Sequence, residues 1–457
     1  MAAVQRLKVA LKSPLLLARC NRFHQSWKGN NSNAASGELK WLLSLGHSPT
    51  LGDVEQALAP CVDAWMHSPK LAMPTLSGLA KARRPWVAVN VLRCMVDMHV
   101  EVDVFHCSAV LSACEKCGLW EYSLVLLNSM PTLHVAPNAF SFSAAISACQ
   151  KGGQWQCALG LLGSMHGRLI APNDFIFNAT ISACAKGGHW QHAFMLLDLM
   201  QEHTVAPDTI SFSAAITACE KGRQWQRAVM LLGYMQERLV TPDAITFGAA
   251  ISACEKGGQW QRALALLGSM PRLHVPPTAI AFNAAISACA KCSQWPRALA
   301  VLGSMVSLQV DPTPISFNAA ISACEKGAQW QHSLALFHSM PQRRMTPDAY
   351  SFNAAISSCE KGGKWQCALV LLGSMPQLRI MPSVMSCSAA IAACARSRQW
   401  QTALGLFYGM GSLNIIPDKV AYASILGAVA DRPVGRDLFS EALNSKVFPE
   451  LLDQDSR

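Results

Sequence analysis

The sequence has no long apolar run and few charged residues. Its longest apolar stretches, such as residues 263–267, fall far short of the about 18–20 residues that span a bilayer, so we expect no membrane contact. Charged residues make up only 14% of the 457 residues and hydrophobic residues 51%. This composition argues against intrinsic disorder and predicts a soluble chain with an extensive core.

Sequence motifs for catalysis are also missing. The chain has no phosphate-binding glycine motif, no G-x-S-x-G nucleophile motif and no H-x-E with the paired cysteines of a deaminase. Residues 419–457 contain no carboxylate cluster suited to metal-assisted cleavage. We therefore expect neither an enzyme nor a cofactor.

Acidic residues are absent before Glu38. Residues 1–37 carry six basic side chains, which supply six of the ten positive charges in the formal net charge of +10. A basic, serine-bearing segment without acids is typical of an organelle transit peptide, mitochondrial or plastid, although a disordered basic tail has the same composition. Residues 15–18 are too short an apolar centre for a secretory signal, so the 18 cysteines do not indicate a disulfide framework.

A strict 35-residue period organises the chain. Tryptophan, cysteine and methionine each recur at this step, from Trp120 to Trp400, from Cys114 to Cys394 and from Met130 to Met410. Nine full repeats follow from this period, numbered 1 to 9 here. They begin at residues 104, 139, 174, 209, 244, 279, 314, 349 and 384.

Each repeat predicts a helical hairpin. In residues 349–383, apolar residues from Tyr350 to Cys359 recur at three- and four-residue intervals, as on an amphipathic helix. Gly362–Gly363 then break the helix, a second helix begins at Trp365, and Pro382 turns the chain. Because one hairpin cannot bury its own apolar faces, stacked hairpins are required, which predicts an all-α solenoid.

The period also predicts the domain organisation. Residues 1–37 form the expected transit peptide, 38–103 a degenerate helical N-terminal cap and 104–418 the nine repeats. Residues 419–457 are expected to form a partial repeat and a C-terminal helical cap, since solenoids need atypical ends.

The 35-residue step, the helical hairpin, Lys-Gly in the turn and Pro-Asp at the end of the repeat together resemble the pentatricopeptide repeat family. The resemblance is close over 104–418 and loose over 69–430, whereas tetratricopeptide repeats have a 34-residue step. It implies a right-handed α-α superhelix, in an array without an editing or nuclease domain. The tryptophan that begins every second helix departs from the family, and we expect it to pack between repeats.

In this family one repeat binds one base of single-stranded RNA through its fifth and last residues. We define these as the fifth-position and last-position rows. The fifth positions are Ser108, Ser143, Asn178, Ser213, Gly248, Asn283, Asn318, Asn353 and Ser388. The last positions are Asn138, Asn173, Asp208, Asp243, Thr278, Thr313, Asp348, Ser383 and Asp418. Gly248 leaves repeat 5 without a reading side chain, and the family's pairings imply the site 5′-A-A-U-G-N-Y-U-C-G-3′.

Two further rows acquire roles through the resemblance. The second-position row is expected to stack on bases, and consists of Phe105, Phe140, Phe175, Ile210, Ile245, Ile280, Ile315 and Tyr350, with Met385 ninth. The turn row is expected to contact phosphate, and consists of Lys116, Lys151, Lys186, Lys221, Lys256, Lys291, Lys326, Lys361 and Arg396. Both have alternatives, because apolar residues at helical spacing usually belong to the core and a lysine ending a helix is favoured by the helix dipole.

Two C-x-x-C pairs raise the question of a metal site. Cys114 with Cys117 and Cys289 with Cys292 lie five repeats apart, whereas structural zinc needs four converging ligands. We therefore predict small buried apolar groups and no metal.

The resulting hypothesis is a monomeric organelle protein that binds single-stranded RNA sequence-specifically. It would act in RNA processing, stability or translation, by occupancy or by recruiting a processing enzyme. The alternative is a protein-binding scaffold. A protein groove would need varied apolar anchors at the fifth positions, whereas eight of the nine are serine or asparagine. Recent duplication of the repeats would also produce uniform rows.

Overall fold

The computed structural model describes residues 37–45 and 49–429. The predicted transit peptide and most of the predicted C-terminal cap lie outside the described residues. Within those ranges the chain forms 23 α-helices and four short 3-10 helices, and no strand. This confirms the all-α prediction.

The described helices fall into two compact units, which divide between Thr241 and Pro242. In the N-terminal unit they are α1 Gly37–Ser44, α2 Leu51–His67, α3 Met73–Lys81, α4 Pro85–Asp97, α5 Val104–Cys117, α6 Trp120–Ser129, α7 Ala139–Gly152, α8 Trp155–His166, α9 Asp174–Gly187, α10 Trp190–Glu202, α11 Thr209–Lys221 and α12 Trp225–Glu237. In the C-terminal unit they are α13 Ala244–Lys256, α14 Trp260–Ser269, α15 Ala279–Lys291, α16 Trp295–Ser307, α17 Pro314–Lys326, α18 Trp330–Gln342, α19 Ala349–Lys361, α20 Trp365–Ser374, α21 Val384–Arg396, α22 Trp400–Ser412 and α23 Lys419–Val429.

Each unit is built by stacking hairpins. Within a unit, the first helices of consecutive repeats pack on one another, and a second helix packs between its own first helix and the first helix of the next repeat in that unit. Helices α3 and α4 form a further hairpin, within residues 69–103, that packs on α5. The predicted repeat architecture is therefore present in both units.

The ends of the first helices follow from local sequence. The last residue of each repeat caps the first helix of the next, as where the Asp208 carboxylate accepts the backbone N–H of Ser211 at 2.8 Å. At the other end, the backbone N–H of Gln224 returns to the carbonyl of Cys219 at 2.9 Å and closes the helix. Capping and the 35-residue period thus fix where each hairpin begins and turns.

The core is a repeated set of aromatic, aliphatic and sulfur side chains. In repeat 8, Phe352, Ile356 and Cys359 of α19 and Ala368 and Met375 of the second helical segment are buried almost completely. Burial raises the pKa of the Cys359 thiol to about 12, which keeps it neutral. The cysteine ladder accordingly packs as small apolar groups.

The tryptophans pack between repeats, as expected. The Trp190 ring lies against Gly222 of the next repeat, and the Arg227 guanidinium lies over the ring at 3.9 Å from its centroid. Trp155 is covered in the same way by His189, with ring centroids 4.0 Å apart. The tryptophans that depart from the family pattern therefore pack at the contacts between consecutive hairpins.

None of the described helices combines the length and apolar character needed to cross a bilayer.

Candidate nucleic-acid interface

The second-position row projects from the first helices instead of entering the core. All nine members are exposed, between 52% for Phe175 and 70% for Ile245 and Ile280. The alternative interpretation, in which these residues belong to the core, is therefore wrong. The helical period leaves this position one place outside the buried stripe, since the fourth-position residues, such as Phe177 and Phe247, are buried. A ladder of exposed apolar side chains results in each unit.

The fifth-position row lies on the same helices and is more buried than the second-position row. Asn178 is only 8% exposed, and its amide nitrogen donates to the Asp208 carboxylate at 3.2 and 3.4 Å. A buried hydroxyl completes the group, because Ser211 Oγ lies 2.5 Å from Asn178 Oδ1 and donates to it. The fifth and last residues of repeat 3 are therefore one hydrogen-bonded group.

The same arrangement recurs in the C-terminal unit. In repeat 7, Asn318 donates to Asp348 at 3.2 and 3.3 Å and accepts from Ser351 at 2.5 Å. In repeat 6, Asn283 donates to Thr313 Oγ1 at 3.3 Å and accepts from Ser316 at 2.5 Å. Three repeats thus present an amide held from both ends.

Serine at the fifth position makes simpler pairs. Ser388 donates directly to Asp418 at 2.8 Å, whereas Ser108 reaches Asn138 through the hydroxyl of Ser141. The structure therefore brings together the predicted partners in five repeats: repeats 1, 3, 6, 7 and 9.

The remaining predicted residues are differently engaged. Asn173 caps α9 through the N–H of Ile176 at 3.1 Å. Ser213 Oγ donates to the carbonyl of Ile210 at 3.3 Å, and Asp243 caps α13 through Thr246. Ser143 and Asn353 are partly buried.

Repeat 8 differs from the other asparagine repeats. Asn353 Oδ1 is buried and has no hydrogen-bond partner among the described residues. Ser386, which corresponds to Ser351, instead donates to the carbonyl of Ser383 at 2.8 Å. The predicted pair Asn353 and Ser383 is therefore not joined as in repeat 7.

The carboxylates of Asp208 and Asp348 in the last-position row are stabilised in the charged form. Partial burial alone would raise the pKa of Asp208, but hydrogen bonds from the backbone and hydroxyl of Ser211 and from Asn178 outweigh it, and the pKa is lowered. The same causes lower the pKa of Asp348. Both groups are therefore anionic acceptors at neutral pH.

A third-position row of small buried residues was not predicted from the sequence: Ser141, Ser211, Thr246, Ala281, Ser316, Ser351 and Ser386. A signal for its role was present in the sequence. Each of the four fifth-position asparagines is followed 33 residues later by a serine. The fifth-position serines are followed at this distance by Ser141, Ile176, Thr246 and Ala421.

The turn row makes contacts between repeats. Lys151, Lys291 and Lys361 pair with Glu115, Glu255 and Glu325 of the preceding repeat at 3.1, 2.9 and 2.9 Å. Arg396 pairs with Glu360 at 3.2 Å. These pairs connect neighbouring first helices, so phosphate binding by these cations would compete with a structural contact.

In repeats 3 and 4, where the preceding repeat lacks that glutamate, the lysine of the turn row donates to a backbone carbonyl instead. Lys186 and Lys221 donate to the carbonyls of Lys151 and Lys186 at 3.2 and 3.3 Å. Gln150 and Ala185 occupy the position of the missing glutamate in those preceding repeats. A phosphate role for the turn row stays a prediction.

The C-x-x-C pairs likewise serve contacts between repeats. Cys114 is fully buried, and Cys292 Sγ donates to the carbonyl of Gly258 at 3.2 Å. Across the described ranges, no group of three or more histidine, cysteine, aspartate or glutamate residues could hold a metal ion.

Stacked helical hairpins with ladders of repeated side chains define the class of α-solenoid repeat proteins. Models of pentatricopeptide repeat families match the sequence over most of the repeats. The description "PPR repeat family" matches 172–221, and "Pentatricopeptide repeat domain" matches 90–153 and 230–292. The description "PPR repeat" matches 140–168, 280–310, 315–345, 350–380 and 385–415. The chain belongs to the pentatricopeptide repeat family.

Solved structures agree on the fold. The pentatricopeptide repeat protein PPR10 from maize is 17% identical with a TM-score of 0.53, covering 98% of this chain and 78% of that one. A PPR10 variant in complex with an 18-nt PSAJ RNA element is 14% identical with a TM-score of 0.56, covering 96% and 72%. No curated protein matches the sequence.

Proposed function

We propose that this protein binds single-stranded RNA, one base per repeat, and acts by occupying its site. The observation that carries the proposal is the pairing of two rows on each first helix. The second and fifth positions are three residues apart and share a face, which combines an exposed apolar side chain with a hydrogen-bonding group. This combination suits an unstacked base, which has an apolar face and a polar edge.

The second-position row supplies a stacking surface. An exposed ladder of large apolar side chains is costly in water unless a ligand covers it. Stacking between bases and aromatic side chains contributes roughly 1–3 kcal/mol per base, so Phe105, Phe140, Phe175 and Tyr350 would supply much of the affinity.

The fifth and last positions supply base identity. In repeat 7, one amide hydrogen of Asn318 can serve Asp348, which leaves the second to donate to a base carbonyl. In repeat 9, the hydroxyl of Ser388 donates to Asp418, which leaves its oxygen to accept. Different bases therefore suit the two repeats, in line with uracil and guanine in the predicted site.

The comparison with maize PPR10, which has been solved in complex with an RNA element, supports the same ligand class. We further propose that the chain acts in a mitochondrion or plastid, as a monomer, in RNA processing, stability or translation. Occupancy would block a nuclease, hold a hairpin open or recruit an enzyme.

The test is a binding measurement with the full chain and a randomised single-stranded RNA pool, followed by Kd values for 5′-AAUGNYUCG-3′ and its single-base variants. Asn318→Ser creates the serine–aspartate pair that repeat 9 already contains. It should change the preferred seventh base from uracil to guanine and leave the third base, read by the unchanged Asn178, as uracil.

Repeat 5 is an internal control, since Gly248 should give no preference at the fifth base. A pool that shows no enrichment would overturn base reading and favour a protein ligand for the exposed apolar ladder.

A further inference from the structure

We infer that the buried serine hydroxyl at the third position of the following repeat determines which end of the asparagine amide faces the base in repeats 3, 6 and 7. Ser211, Ser316 and Ser351 are thus positioning residues for specificity. The inference rests on the proposed function, because it concerns how the same groove distinguishes bases.

The first step concerns the direction of the hydroxyl proton. In all three groups the serine oxygen accepts the backbone N–H of the last residue of the asparagine's own repeat. The N–H of Asp208 donates to Ser211 at 3.2 Å, that of Thr313 to Ser316 at 3.0 Å and that of Asp348 to Ser351 at 3.2 Å. An oxygen engaged in this way retains its own proton to donate. The backbone thus occupies one of the two lone pairs of each serine oxygen, and the hydroxyl proton remains to donate.

The second step concerns the acceptor of that proton. Ser351 Oγ lies 2.5 Å from Asn318 Oδ1 and 2.8 Å from Asp348 Oδ1, so the amide oxygen is the closer acceptor. Occupying that oxygen directs the amide nitrogen to the carboxylate, and its second N–H remains for the base. The groove consequently presents a donor, which matches the carbonyl oxygens of a pyrimidine.

Repeat 6 shows the effect of the serine alone, because its group contains no carboxylate. Its last residue is Thr313, whose hydroxyl can donate or accept, so it does not distinguish the two ends of the Asn283 amide. Ser316 still lies 2.5 Å from Asn283 Oδ1 and its proton is directed there. The serine can therefore fix the amide without a neighbouring charge.

The sequence supports the coupling independently. The asparagines of repeats 3, 6 and 7 are each followed by serine at the third position of the next repeat, as is Asn353, whose serine donates to a backbone carbonyl instead. The five other repeats are followed by Ser141, Ile176, Thr246, Ala281 and Ala421. Alanine and threonine are tolerated at this buried position, since Ala281 and Thr246 are completely buried. Packing alone therefore does not require the serine.

The experiment compares Ser351→Ala with Ser386→Ala in the full chain. Both serines accept a backbone N–H and form a capping box with the N-cap residue three positions earlier, but Ser386 donates to a backbone carbonyl and not to Asn353. Kd values are measured for the predicted site carrying each of the four bases at positions seven and eight. Thermal unfolding of each variant is followed in parallel.

Ser351→Ala should reduce the pyrimidine-over-purine preference at base seven by about fivefold, the scale of one lost orienting hydrogen bond, and leave the other bases unaffected. Ser351→Thr should restore it, because the hydroxyl returns. Ser386→Ala should leave the preference at base eight unchanged.

Unchanged discrimination in Ser351→Ala, with the intact protein discriminating, would overturn this inference alone. An equal loss in Ser386→Ala would assign the effect to helix capping and overturn it too. An intact protein that does not discriminate at base seven would overturn the proposed function itself.

Discussion

The indole of Trp330 lies directly against the backbone of Gly362, one repeat further along the chain. A Cβ atom added to this glycine would lie 2.4 Å from Cδ1 of the ring, closer than such atoms approach in folded proteins. Trp120 and Gly152 show the same distance, and Trp295 and Gly327 are at 2.3 Å. The glycine at the end of one first helix thus makes room for the tryptophan of the preceding second helix.

Gly362→Ala should therefore destabilise the array, although alanine is the better helix former. We expect a loss of about 1–3 kcal/mol from overpacking, measured as a shift in the midpoint of guanidinium denaturation. Gly373→Ala is the control, since nothing lies within 4 Å of its added Cβ. That variant should be neutral or gain up to about 1 kcal/mol from helix propensity. Equal midpoints for the two variants would contradict the packing argument.

The two cysteines of repeat 8 should differ in reactivity. Cys359 is fully buried and its pKa is raised to about 12 by burial, whereas Cys367 is partly exposed. Because the thiolate is the nucleophile, iodoacetamide at pH 8 should modify Cys367 in the folded chain and Cys359 only after unfolding. Mass spectrometry of the peptides measures both sites in one sample. Rapid modification of Cys359 in folded protein would show that the ladder is not a packed core.

Much of the fold could be predicted from the sequence because the 35-residue period marks the same helix and turn positions in every repeat. The tryptophan and cysteine ladders and the terminal prolines repeat nine times, and glycine follows the first helix in seven of the nine repeats, so boundary errors in one repeat are corrected by the others. The second helices begin at the ladder tryptophans, from Trp120 to Trp400, as the period implies. Local signals and the global fold agree throughout.

The site was less predictable, because its groups meet across repeat boundaries. A serine near a helix start, such as Ser351, suggests a cap, and only the structure places it on Asn318 of the previous repeat. Lys361 likewise resembles a free cation until Glu325 is brought within 2.9 Å. Periodicity alone also did not show that Tyr350 lies outside the buried stripe.

Releasing a turn-row lysine from its partner should strengthen RNA binding. Glu325→Gln removes the ion pair with Lys361 and frees that cation for a phosphate. The slope of log affinity against log salt should steepen by about 0.7 for one added phosphate contact to a single strand. The control is Glu237→Gln, which removes the same charge at an exposed site on α12. If both variants change the slope equally, the effect reflects net charge and not the freed lysine.

Two neighbouring aromatic residues of α19 should have separate roles. Tyr350→Ala removes a side chain that is 57% exposed, so we expect normal stability and an RNA affinity lower by roughly 1–3 kcal/mol. Phe352→Ala empties a buried position and should cost about 3–5 kcal/mol of stability. Paired measurements of thermal unfolding and RNA Kd distinguish the two effects. A stability loss in Tyr350→Ala would place that residue in the core.

The silent repeat should be convertible into a reading repeat. A Cβ atom added to Gly248 would meet only Ile280 Cγ2, at 3.9 Å, which is ordinary van der Waals contact. Repeat 6 supplies the template, in which Asn283 is held by Thr313 and Ser316, and repeat 5 already ends in Thr278.

Gly248→Asn with Ala281→Ser therefore reproduces the complete group of repeat 6. The double variant should acquire a pyrimidine preference at the fifth base, whereas Gly248→Asn alone should show a weaker one because its amide lacks the orienting hydroxyl. Kd values for the four bases at that position measure both, and Ala281→Ser alone should have no effect. If the single and double variants discriminate equally, two side chains per repeat suffice. If only the double variant discriminates, the recognition unit extends over three side chains and two repeats.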